Sequence, residues 1–116
     1  MNGISENAML TLKTFEALPA GLLEADATAL EALLGGPSLI HLPGRRPEPL
    51  FLTGLLHGNE TTGFEALKAV LRRWQGRELP RALSLFIGNV AAARAGLRRL
   101  PGQPDYNRVW PGTETP

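Results

Sequence analysis

Two apolar runs, Leu50 to Leu56 and Leu83 to Ile87, flank one amphipathic stretch, Thr61 to Trp74, and this arrangement constrains the fold more than any other feature of the chain. Each run is short and largely apolar, as a buried strand is. Between them Phe64, Leu67, Val70, Leu71 and Trp74 recur at helical spacing, and Gly76 ends the pattern. Such a stripe belongs to a helix that lays its apolar face on a sheet, so these residues are expected in the core. Two strands joined by one helix pair in parallel through a right-handed crossover, which gives a βαβ unit. The chain is therefore predicted to be α/β. Asn89, just past the second strand, then falls on the same sheet edge as His57, just past the first.

The flanking segments extend this unit. Met9 to Phe15 alternates apolar and polar side chains and suits an edge strand. Asp26 precedes Ala27, Leu30, Leu33 and Leu34 at helical spacing, with Gly35-Gly36-Pro37 as a stop, so a short helix is expected there. Ser38 to Leu42 is expected to be a strand. Pro43 to Pro49 contains three prolines, which remove backbone donors and fix their own φ, and it is expected to be a rigid loop. From Ala91 onward a loop with a short helical turn is expected, because Gly96 and Pro101 limit the growth of a helix. No internal repeat or low-complexity block is present.

Composition excludes several classes of function. At 116 residues the chain is one domain's worth of sequence, and a domain of that size buries about two thirds of its unfolded surface. A net charge of +1 argues against nucleic acid as the obligatory partner. Arg94, Arg98 and Arg99 have only Tyr106 and Trp110 near them in sequence for base stacking, and no basic stripe continues elsewhere. The absence of cysteine removes disulfides and thiolate metal sites. No apolar run is long enough to span a bilayer, and the first residues lack a signal peptide's basic start and apolar core. A cytoplasmic location with no membrane partner is expected.

His57-Gly58-Asn59-Glu60 occupies the turn where the first strand hands over to the helix. In open α/β sheets, ligands collect at the carboxyl ends of strands. An imidazole and a carboxylate are both suitable zinc ligands, and a catalytic site of two histidines and a glutamate keeps one position open. His57 and Glu60 are thus half of a metal site on this reading, and a solvated helix start is the plainer alternative. His41, the only other histidine, lies mid-strand and upstream, and is expected to be a partly buried residue bonded to backbone. Glu65 is expected to be an exposed helix residue paired with Lys68.

A second polar cluster, Asp105-Tyr106-Asn107-Arg108-Val109-Trp110-Pro111-Gly112, comes after the Leu-Arg-Arg of residues 97–99. The His-Gly-Asn-Glu turn, an arginine loop and then Asp-x-Asn-Arg-x-aromatic-Pro-Gly, in that order, resemble the succinylglutamate desuccinylase/aspartoacylase family of zinc hydrolases, relatives of the zinc carboxypeptidases. The resemblance covers residues 50–112. It implies a partial three-layer α/β/α fold of the zinc-carboxypeptidase kind with a mainly parallel sheet. It also implies that residues 1–116 are the amino-terminal part of a longer catalytic domain.

Matched position by position, the resemblance makes His57 and Glu60 ligands of one zinc ion. Asn107 and Arg108 match the pair that grips a substrate carboxylate, and a planar guanidinium beside a neutral amide suits that task. Arg99 matches the arginine that faces the carbonyl under attack, given one extra residue in the loop, and Arg98 is the alternative. The family's third zinc ligand and its glutamate general base fall beyond residue 116. The implied activity is hydrolysis of the amide of a small, carboxylate-bearing N-acyl amino acid. The competing readings are a non-catalytic carboxylate-binding module and a structural domain that has lost the site. An incomplete layer leaves apolar surface open, so self-association or pairing with a complementary chain is expected.

Overall fold

A computed structural model describes residues 12–103. Four strands form one sheet: β1 (Lys13–Phe15), β2 (Ser38–Leu42), β3 (Gly44–Gly54) and β4 (Leu79–Ile87), in the order β1-β2-β4-β3. Three α-helices, α1 (Leu30–Leu34), α2 (Thr62–Arg73) and α3 (Val90–Ala95), and two 3-10 turns (Leu22–Glu24 and Ala27–Ala29) complete the described elements. The expected βαβ unit is β3-α2-β4, with its strands paired in parallel. β1 also pairs in parallel with β2, whereas β2 and β4 are antiparallel. The sheet is therefore mainly parallel. The antiparallel pair has a simple cause: only Pro43 separates β2 from β3, and so short a link reverses the chain, because a parallel connection needs a long crossover.

Register sorts the side chains onto two faces. Ile40, Leu85 and Leu52 lie across from one another, as do Leu42, Leu83 and Leu50. On that face Ile40, Leu85 and Ile87 join Leu22, Leu30, Phe64, Leu71 and Val90 in one core cluster. The opposite face carries Leu39 and His41 of β2, Ser84 and Phe86 of β4, and Phe51 and Thr53 of β3. There Phe51 is 49 % exposed. This is one helical layer and one sheet of an α/β architecture.

Three expectations are corrected. The proline-rich segment is not a loop: Gly44 to Pro49 is the exposed first half of β3, with a register irregularity between Arg46 and Leu50. Among the described residues β3 is an edge strand, where a proline nitrogen can face outward and cost no ladder bond. Its final residues differ too, since the strand ends at Gly54 and Leu55-Leu56 belong to the turn. Finally, Val70 of the helical stripe is 50 % exposed, while Lys68 is buried at 4 %.

Lys68 is buried because its ammonium has partners. Its Nζ donates to Ala25 O at 2.6 Å, lies 3.2 Å from Glu65 Oε2, and sits 4.7 Å from the Phe64 ring centroid. Arg72, one turn on, donates to Leu23 O. Two cations on α2 thus bind carbonyls at the end of the first 3-10 turn, where backbone acceptors lack helical partners. This holds the segment before β2 against the helix.

Gly44 and Gly63 give opposite expectations on substitution by alanine. A Cβ at Gly44 would lie 2.1 Å from the backbone carbon of Arg81, whereas nothing lies within 4 Å of one at Gly63. Gly44→Ala should destabilise by about 1–3 kcal/mol, and Gly63→Ala, inside α2, should stabilise by about 0.4–1 kcal/mol. Urea midpoints of the two variants measure both.

Candidate functional site

The β3–β4 ladder continues past both strand ends. Gly88 N donates to Gly54 O at 3.0 Å, and Asn89 N donates to Leu55 O at 2.7 Å. Leu55 is buried and has φ 56. A left-handed leucine costs about 1–3 kcal/mol, and such strain gathers at functional sites. Burial of its side chain and the Asn89 bond to its carbonyl hold it there. The reversal at Leu55 carries the chain off the sheet edge, and His57 to Glu60 form the next turn.

His57 is 5 % exposed, and its Nδ1 lies 2.8 Å from Oε1 of Glu60, whose side chain is 61 % exposed. The backbone closes the same turn, with Glu60 N donating to His57 O at 3.1 Å. α2 begins at Thr62 and packs Phe64 beside Gly54, which anchors the turn on its far side. The two side chains proposed from the sequence are thus brought together. Their donor atoms suit zinc, being an imidazole nitrogen and a carboxylate oxygen. Two ligands at about 2.0–2.2 Å in a tetrahedral shell lie about 3.3 Å apart, so a separation of 2.8 Å needs only a small opening to admit the ion. Among the described residues no group of three or more His, Asp or Glu converges.

The arginine loop lies against this turn. Gly58 N donates to Arg98 O at 2.8 Å. A Cβ on Gly58 would stand 2.4 Å from Ala93 N and 2.5 Å from Leu97 O, so only glycine lets the turn rest directly on α3 and the loop after it. Arg98 and Arg99 are both exposed. Arg98 contributes its backbone to the turn, while the Arg99 guanidinium donates through Nη1 to Gln103 O at 3.1 Å. Asn107 and Arg108 lie outside the described residues, as does the rest of the cluster from Asp105 to Gly112.

His41 is no part of this site. Its Nδ1 lies 2.9 Å from Oγ of Ser84, its register partner on β4, so its hydrogen bond is to a side chain and not to the expected backbone group. Glu65 pairs with Lys68 as expected. A cleft of ≈ 530 Å³ bordered by Leu18, Leu42, Leu71, Trp74 and Leu79 sits at the other end of the sheet, where Gly44 pairs with Leu79. It is therefore remote from the His57 turn.

Asn89 lies at this edge, as its place after the second strand predicts, and two roles not evident from the sequence pattern belong to it and to Gln103. Asn89 is 1 % exposed, and its Oδ1 accepts from Ala92 N at 3.1 Å as the N-cap of α3. An asparagine between a strand end and an alanine-rich segment is a helix-start signal that could have been recognised. Gln103 had no such signal.

Fold and site together define an α/β chain with a histidine and a carboxylate converging at a strand end beside an arginine loop. The succinylglutamate desuccinylase/aspartoacylase catalytic domain matches residues 47–116, more than half of the sequence. The chain belongs to that family. The succinylglutamate desuccinylase of Pseudomonas paraeruginosa is 36 % identical over 107 residues, covering 89 % of this chain and 32 % of that protein. The chain thus spans about a third of the length of this curated relative. No solved structure matches it.

The close approach at Gly58 has a direct test. Gly58→Ala should lower stability by about 1–3 kcal/mol, since backbone and not a flexible side chain blocks the added methyl. An unchanged urea midpoint would contradict the packing of turn on helix.

Proposed function

We propose that this chain carries the amino-terminal half of the active site of a zinc-dependent deacylase that hydrolyses the amide of a small, carboxylate-bearing N-acyl amino acid. The observation that carries the reading is the convergence of His57 Nδ1 and Glu60 Oε1 to 2.8 Å at the end of β3, within the segment that matches the family.

His57 and Glu60 would hold the metal. When bound, zinc polarises a scissile carbonyl and lowers the pKa of a coordinated water to about 7. The burial of His57 fixes its ring, so the imidazole needs little reorganisation to bind. Arg99, with Arg98 as the alternative, donates to the carbonyl oxygen as negative charge develops there, an interaction stronger in the transition state than in the ground state. Asn107 and Arg108 grip the substrate carboxylate, bidentately in the case of the guanidinium, and so set the amide over the reacting centre. A third protein ligand and a carboxylate that moves the proton complete the site from outside this chain. The protein works in the cytoplasm on this reading, and Phe51, 49 % exposed on the second face of the sheet, supports self-association or pairing with another chain.

Calorimetry and steady-state kinetics on the longest natural form of the protein test the division of labour. His57→Ala should abolish zinc retention. Arg108→Ala should leave zinc in place and mainly raise KM, because the clamp touches the carboxylate and not the metal. Equal loss of zinc in both variants would show the division to be wrong.

The isolated 116-residue chain should bind zinc poorly, since catalytic zinc keeps three protein ligands. Without the proton shuttle its rate should fall by a further factor of about 10²–10⁴. Hydrolysis by the isolated chain at the complete protein's rate would overturn the proposal.

A further inference from the structure

Among the described residues Asn89 makes four hydrogen bonds, which reach three parts of the site: the turn after β3, the start of α3 and the arginine loop. Its N–H donates to Leu55 O at 2.7 Å, at the start of the turn that carries His57. Its carbonyl accepts from Ala93 N at 3.0 Å, and its Oδ1 caps α3. Its Nδ2 donates to Oε1 of Gln103 at 2.9 Å. The same Gln103 oxygen accepts from Leu100 N at 2.7 Å, and the Gln103 carbonyl accepts from the Arg99 guanidinium. Gln103 therefore closes the loop 99–103 on itself and ties it to Asn89.

The cap alone does not account for this residue. Aspartate or serine would cap α3 as well as asparagine does, but neither could cap with one side-chain atom and donate with another to a glutamine carbonyl. Asparagine offers both an acceptor and donors. At 1 % exposure an unmatched amide is costly, so the Gln103 bond is enforced by burial.

We propose that Asn89 is a positioning residue, which acts through Gln103 to hold the Arg99 loop in fixed relation to the His57–Glu60 turn. The proposal rests on the reading of Arg99 as a group that stabilises developing charge. Such a group must be held in place before the reaction, because a misplacement of 1 Å can cost about 10²-fold in rate. One buried asparagine that is bonded both to the base of the metal turn and to the arginine loop supplies that constraint.

Two classes of variant separate this role from a merely structural one. Asn89→Asp keeps the cap acceptor and removes the donor to Gln103. Gln103→Leu leaves Asn89 and its cap intact and removes the acceptor. Gln103→Glu keeps an oxygen that accepts from both Asn89 and Leu100, so it is the conservative rescue. In the longest natural form of the protein, Asn89→Asp and Gln103→Leu should accelerate hydrogen exchange at the Leu100 amide at least tenfold. They should lower kcat by up to about 10²-fold with KM nearly unchanged, and Gln103→Glu should retain both properties. Zinc content, measured in parallel, should stay at the wild-type level. Unchanged Leu100 exchange and kcat in Gln103→Leu would overturn the proposal. So would a rise in KM without a fall in kcat. A wild-type protein inactive on all acyl amino acids would overturn the hydrolase reading and this one with it, which distinguishes the two failures.

Discussion

The parallel pairing of β3 with β4, continued by the Asn89–Leu55 bond, is the interaction on which the site depends. It sets the register that brings two strand ends together, so that the segments leaving β3 and β4 meet. The segment leaving β3 is the His57–Glu60 turn, and the one leaving β4 is α3 with the arginine loop. A slip of one residue would send every side chain of β3 to the other face and break this meeting. The core prevents that slip, because Ile40, Leu85 and Leu52 lie side by side on the face that receives the helices.

Two further constraints convert adjacency into contact. Gly58 removes a side chain where the turn meets the backbone of α3, and its N–H bonds to Arg98. Leu55 accepts a left-handed backbone so that the chain can leave the sheet at once. Both are local costs that the surrounding packing offsets, and both lie close to His57 in the chain. Lys68 and Arg72 of α2 hold the carbonyls of residues 25 and 23, so the helix that anchors the turn is itself tied to the segment before β2.

The sequence made much of this legible because periodicity and punctuation agreed. Ser38 to Leu42 is a strand with the expected bounds, set by Pro37 and Pro43, and Thr61 and Trp74 cap the helix foreseen between them. His57 and Glu60 were brought together as the turn required. The failures have physical causes. Prolines at residues 47 and 49 signalled a loop because sequence does not tell an edge strand from a central one, and only the edge tolerates them. The helical stripe includes Val70 and omits Lys68, because the carbonyl that lets its ammonium be buried comes from Ala25, 43 positions away. Gln103 was invisible for the same reason, since its importance lies in a bond to Asn89 across a helix and a loop.

Metal binding between His57 and Glu60 at the end of β3 is the central claim. Zinc-edge anomalous diffraction from crystals of the longest natural form of the protein tests it most directly. The expected result is one strong peak at about 2.0–2.2 Å from both His57 Nδ1 and a Glu60 carboxylate oxygen. A peak bound elsewhere, with the His57–Glu60 contact still closed at 2.8 Å, would contradict it.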